Sequence, residues 1–171
     1  MTMDFRSERG TTLIETVVAS AILLVLMTGL LSMAALAAVY TENHGHLEAR
    51  TTEYAQDKME QLQALAYSDP VTDTVVFPAA PTGGTGLAAG GSTDTASPVD
   101  LYVDWLAYDG TLLGGGTTPP SGWFYERVWQ IANDTPSAGL KRMTVVATVR
   151  SSVGHALIPK STVVTLKASQ F

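Results

Sequence analysis

The sequence predicts an α+β chain: one long N-terminal helix packed on a small antiparallel sheet. Three observations predict it. From Val17 to Val39 the chain is apolar and carries no ionisable side chain. Past Tyr40 the helical period continues to about Ala66, where Asp69-Pro70 stops it. After residue 100 the apolar period changes from three-to-four to two, and turn residues separate the alternating stretches.

The apolar run is the first element. About 23 helical residues rising about 1.5 Å each cover about 35 Å, against about 30 Å of bilayer hydrocarbon. Thr28, Gly29 and Ser32 dilute the run without charging it, so it reads as a transmembrane helix. Arg6 and Arg9 precede it and the next basic residue is Arg50, which places the N-terminus in the cytoplasm and the rest outside. The continuation is amphipathic. Ala55, Met59, Leu62 and Ala66 share a face, Leu47 and Tyr54 add a second apolar line, and Glu48, Arg50, Glu53, Asp57 and Glu60 keep other faces wet. Met59, Leu62 and Leu65 need cover, which the C-terminal domain is expected to give.

Residues 70–100 read as a long loop rich in Pro, Gly, Ala, Ser and Thr, with Gly83-Gly84-Thr85-Gly86 and Gly90-Gly91 as its plainest markers and Val75-Val76-Phe77 as one short strand. These glycines lack the Gly-Lys-Ser/Thr of a phosphate loop. Leu101 to Leu106 alternates, Asp109-Gly110 offers a hairpin turn, and Gly114 to Gly122 makes a second loop. Trp123, Tyr125, Trp129 and Ile131 fall on one face of the next strand, with Glu126 and Gln130 on the other. After the turn at Asn133-Asp134-Thr135-Pro136, Met143, Val145, Ala147 and Val149 alternate, and Val163 to Leu166 forms the last strand. Consecutive strands with short turns predict a meander.

Composition narrows the function classes. At 171 residues the chain has room for one membrane helix and one small domain. A net charge of −6, with no run of Lys or Arg, argues against a nucleic-acid partner. Cysteine is absent, so disulfides, thiolate catalysis and cysteine zinc sites are all excluded. No nucleophile-elbow or zinc-protease pattern occurs. His44 and His46 stand two apart on a helix and cannot face one metal, and His155 is alone in a loop. Asp94, Asp100, Asp104 and Asp109 match no compact calcium loop. Trp105, Trp123 and Trp129 read as core aromatics rather than a sugar platform. The expectation is a protein without a catalytic centre, metal or cofactor.

One carboxylate remains to be explained. Glu15 sits at the edge of the apolar run, in Gly10-Thr11-Thr12-Leu13-Ile14-Glu15. An ordinary secretory signal ends in a small-residue cleavage site after its apolar part, whereas here a charged leader ends at Gly10 before it. The stretch resembles the cleavage and methylation motif of type IV prepilins, usually Gly-Phe-Thr-Leu-Ile-Glu. Thr11 stands where the family usually has phenylalanine, and Ser32 where many major pilins have proline.

The resemblance implies cleavage between Gly10 and Thr11 by a prepilin peptidase, N-methylation of Thr11, and pairing of Glu15 with the amino terminus of a neighbouring subunit. It further implies a pilin fold divided as residues 1–10 leader, 11–40 membrane and filament-core helix, 41–69 amphipathic helix and 70–171 extracytoplasmic head. The runs Tyr125–Trp129 and Leu140–Val145 look more like minor than major pilins. The expected function is a minor structural subunit of a type IV pilus, in the inner membrane and then in the filament, with other pilins as partners. A type II secretion pseudopilin is the alternative within this class. A membrane-anchored ligand-binding or enzymatic domain is the alternative outside it.

Overall fold

The computed structural model describes residues 12–68, 86–151 and 158–169. A single helix, α1, runs Leu13–Ala64. The chain divides into two units, residues 1–41 and 42–171.

In the first unit every described side chain is exposed, Leu13, Leu24 and Met33 among them. The hydroxyls in this apolar stretch do not wait for water. Ser20 Oγ donates to Thr16 O (2.7 Å), Thr28 Oγ1 to Leu24 O (2.6 Å) and Ser32 Oγ to Thr28 O (2.9 Å). Each polar group is therefore satisfied within its own helix, as a hydrocarbon surrounding requires. The helix is long and apolar enough to cross a membrane.

The second unit combines the rest of α1 with an antiparallel sheet. Its strands are β1 (Gly90–Gly91), β2 (Val103–Leu106), β3 (Leu112–Gly115), β4 (Tyr125–Asn133), β5 (Leu140–Val149) and β6 (Lys160–Ala168). The order is β3-β2-β4-β5-β6, with β1 on β4. Strands β4, β5 and β6 follow one another as a meander, whereas β3 turns out to the edge so that β4 pairs with β2. The small β1 continues the β2 edge of β4, Gly91 opposite Gln130 and Val103 opposite Val128, with residues 92–102 as an excursion between them.

The buried stripe of α1 is Thr51, Tyr54, Ala55, Lys58, Met59 and Leu62, spaced by threes and fours as one helix face must be. It meets the sheet face that carries Trp129, Ile131, Met143, Val145 and Ala147, forming the main core with Leu65 at its margin. The second apolar line also finds cover. Tyr54 packs with Leu106, Tyr125 and Val149, and Leu47 and Phe124 flank them. The opposite sheet face holds a smaller cluster of Val103, Trp105, Val128 and Val146.

Two expectations change. Trp123 precedes β4 and lies edge-to-face on Trp105 at 4.8 Å, on the outer cluster rather than with Tyr125 and Trp129. The strand's alternation does not extend back through residue 123, because β4 begins at Tyr125. The glycines read as loop markers are also partly sheet. Gly90 and Gly91 make β1, and Gly114 and Gly115 belong to β3. At Gly91 a Cβ would stand 2.1 Å from Trp129 O and 2.8 Å from the Tyr102 ring, so the strand reaches the sheet there only without a side chain. The strand expected at Val75–Phe77 and the glycines at 83–85 lie outside the described residues.

Candidate functional site

Gly10 and Thr11, the expected cleavage and methylation residues, lie outside the described residues, as do the rest of the 1–10 leader and His155. Glu15 is described and exposed, in the first turn of α1. Its N–H and that of Thr16 both donate to Thr12 O, at 2.9 and 3.2 Å, so Thr12 stands at the N-cap. Thr12-Leu13-Ile14-Glu15 has the spacing of a capping box, and a carboxylate in the first turn favours the positive end of the helix dipole by about 0.3–1 kcal/mol. From Thr16 to Thr41 the helix then carries no Asp, Glu, Lys, Arg or His. One carboxylate at the edge of an exposed, uncharged helix is the arrangement that the first unit offers.

In the second unit the chemistry-bearing residues are gathered where α1 meets the sheet. Arg127 of β4 clasps Asp104 of β2 with two parallel bonds, Nε to Oδ1 at 2.7 Å and Nη2 to Oδ2 at 2.9 Å. Its Nη1 reaches Asp57 Oδ2 at 2.7 Å and Tyr54 O at 3.3 Å on the helix. Lys58 Nζ lies 3.1 Å from Asp104 Oδ2 and 4.0 Å from the centre of the Trp129 ring. Lys58, Asp104 and Arg127 are each at most 2% exposed. Two cations and two carboxylates balance, which is what makes such burial tolerable. Burial pulls the Lys58 ammonium below its usual range, with Asp104 resisting. Burial also opposes the Arg127 charge, but Asp104 and Asp57 more than offset it. The group is a joint between helix and sheet.

A second joint closes the helix end. Lys167 of β6 donates to Gln63 O at 2.6 Å and to Leu65 O, carbonyls that the last helical turn leaves unpaired. Lys141 of β5 donates to Tyr67 O and Leu87 O, both at 2.6 Å, and lies over the Tyr67 ring. Burial lowers the pKa of both lysines. On the outer sheet face Glu126 is 4% exposed and its Oε1 has no hydrogen-bond partner among the described residues. Burial pushes its carboxyl up to about 7, Lys160 pulling down and Asp94 adding to the rise.

The four aspartates considered for calcium separate. Asp94 Oδ1 accepts from Ala96 N, Asp104 belongs to the helix–sheet joint, Asp109 Oδ1 accepts from Thr111 N, and Asp100 is exposed. Among the described residues no three His, Asp or Glu side chains gather around a metal position. His44 pairs with Glu48 at 3.3 Å, away from His46 in register. Trp129 lies in the core while Trp105 and Trp123 lie on the other face, so the three make no common platform.

The joint residues escaped the sequence reading, but a signal was there. Lys58 stands in the middle of the apolar stripe of α1, and Arg127 shares parity with Tyr125 and Trp129. A cation inside each of two apolar periods calls for a buried counter-charge, which Asp104 supplies to both. Compared with models of known protein families, with curated proteins and with solved structures, the chain matches none of them.

Proposed function

We propose that this chain is a structural subunit of a type IV pilus, of the minor kind, held in the inner membrane by the first half of α1 and passed into the filament by the same helix. The observation that carries the reading is Glu15: a lone carboxylate in the first turn of an exposed helix that stays uncharged to Thr41, directly behind Gly10-Thr11-Thr12-Leu13-Ile14. An apolar helix that crosses the bilayer needs no partner, but a carboxylate at its edge gains from one, and a neighbour's amino terminus has the charge for it. The head, on this reading, faces outward and is held by packing and buried ion pairs without disulfides. No catalysis, metal or cofactor is assigned. A pseudopilus of a type II secretion system uses the same subunit plan and is the reading next to this one.

Processing tests the proposal. The mature protein in membrane fractions is expected to begin at Thr11, with or without a methyl group on its nitrogen, and Gly10→Val is expected to block the cut by crowding the scissile bond. Intact mass and N-terminal sequencing decide it. A mature chain that begins at Met1, or that has lost the apolar run, overturns the reading.

A further inference from the structure

A cleft of about 590 Å³ opens among residues that all belong to the second unit. That size lies within the range of small-molecule sites, about 300–1,000 Å³. One wall is a face of α1, where Asn43, His46, Leu47 and Arg50 are spaced by threes and fours. The other wall is Tyr108 and Asp109, in the turn between β2 and β3, with Phe124 and Tyr125.

Both walls are fixed by contacts of their own. The turn is closed by Gly110 N–H donating to Ala107 O at 3.0 Å and by Ala107 N–H donating to Thr111 O at 2.8 Å. Gly110 also lies hard against Tyr54 of the helix, where a Cβ would stand 2.5 Å from Tyr54 Oη. Edge-to-face rings then run outward from the helix: Tyr54 on Tyr125 at 4.8 Å, Tyr125 on Phe124 at 4.9 Å, Phe124 on Tyr108 at 5.0 Å. Tyr108 ends this ladder 73% exposed, an aromatic face left open at the mouth. Walls already in place spare a ligand the cost of ordering them.

The walls differ in sign. Arg50 Nη1 donates to Glu53 Oε2 at 2.9 Å, which takes one of the five donors of a guanidinium. Across the cleft Asp109 Oδ1 accepts from Thr111 N at 3.0 Å, one of about four acceptor positions on a carboxylate. The Thr111 N–H, and after it the hydroxyl, hold this carboxyl below its usual range, so it stays anionic. Leu47 and Phe124, half-buried beside Tyr54 and Tyr125, give the space an apolar lining. A carboxylate suits the fork of Arg50, and an ammonium suits Asp109 and the open Tyr108 face. Those two charges belong on opposite walls, and a cleft of this size exceeds a single amino acid. A short peptide with both termini free carries its groups in that order: ammonium, uncharged body, carboxylate.

We propose that this cleft binds a short peptide by its two free ends, the carboxylate on Arg50 and the ammonium on Asp109 and Tyr108, with Leu47 and Phe124 against its side chains. Such binding uses the second unit alone and needs neither a membrane nor a filament.

The test titrates the full chain in maltoside micelles calorimetrically with alanyl-leucyl-alanine, its N-acetyl form, its C-terminal amide and the form capped at both ends. Saturable binding of the free peptide is expected, weakened about tenfold by either cap and lost with both. Arg50→Gln is expected to weaken the free peptide about tenfold and to erase the difference between acid and amide. Asp109→Asn is expected to erase the difference between free and acetylated amine in the same way. Tyr108→Ala, at an open position, is expected to lose severalfold against every form with a free amine. Leucine alone is expected to bind about tenfold more weakly than the peptide, because it cannot span both walls. The capped peptides act on the unaltered chain, so the outcome does not hang on how any variant folds. Absence of saturable binding, equal affinity for the free and the doubly capped peptide, or an acid-to-amide difference that survives in Arg50→Gln overturns the inference. Leucine bound as tightly as the tripeptide overturns the peptide as ligand.

Discussion

Glu126 faces Trp105 and Thr148 across neighbouring strands, and the excursion at Asp94 and the start of β6 at Lys160 are the charged groups that act on it. Its carboxyl titrates near 7 in the folded chain against an ordinary 4.5, so folding favours the protonated acid. That contribution is whole below about pH 4.5 and is lost as the pH rises through about 7. Glu126→Gln is therefore expected to raise stability at pH 8 by on the order of 2 kcal/mol and to leave it nearly unchanged at pH 4.5. Urea midpoints of the chain in micelles check this, read by tryptophan fluorescence, since all three tryptophans lie between residues 105 and 129. An equal gain at both pH values would mean that the substitution acts through packing instead. Arg127 is the opposite case, a charge that the fold uses. Arg127→Met leaves Asp104 buried with only Lys58 beside it and is expected to cost about 3–5 kcal/mol. Replacing Lys58, Asp104 and Arg127 together by apolar residues of similar size is expected to recover most of that loss, because no charge then stays behind.

Helix and sheet meet through lysines at one end, and this sets what an element-scale change does. Lys167→Ala removes the donor from Gln63 O and Leu65 O at the frayed end of α1. The expected cost is about 1–2 kcal/mol, local in effect, since one net hydrogen bond contributes about 0.5–1.5 kcal/mol. Amide exchange is expected to quicken in residues 62–67 and to stay slow in β4 and β5. The same elements show what a sequence can disclose. The stripe Ala55, Met59, Leu62 and the alternation of Met143 to Val149 are written in apolar spacing, which burial enforces directly. By contrast, β1 and β3 are built on glycines, which have no side chain to alternate, and their pairing depends on where β4 already stands. The Trp123 error has a similar origin. Parity along a chain holds only inside a strand, and the edge of β4 is fixed by partners distant in sequence, Leu106 opposite Tyr125 among them, beyond the view of local spacing. The site residues divide the same way. The proposed role of Glu15 rests on a short local motif, whereas the Asp104–Arg127–Lys58 joint exists only once β2, β4 and α1 are side by side.

At the scale of the whole molecule, two units of opposite character share one helix, one with every described side chain exposed and the other with a packed core. If the apolar run lies in a membrane, lipid covers the first unit there; in the proposed filament, only like helices from other subunits can. A bundle of such helices is dry, and Glu15 would enter it as an uncompensated carboxylate unless an ammonium met it. Removing one member of a buried pair costs about 3–5 kcal/mol, while an exposed pair contributes about 0–1 kcal/mol. The two environments thus make different predictions for one substitution. In the proposed filament, Glu15→Ala leaves a neighbour's Thr11 ammonium buried alone, so the chain is expected to insert and be cleaved normally yet be lost from filaments by more than a hundredfold. Glu15→Gln keeps the shape and some hydrogen bonding and is expected to be less impaired. If Glu15 only caps an anchor helix, loss of its dipole interaction costs about 0.3–1 kcal/mol and alters no assembly. Immunodetection in sheared filaments, normalised to membrane levels, separates the two. Wild-type incorporation of Glu15→Ala would mean that the assembly role is wrong even if cleavage after Gly10 holds.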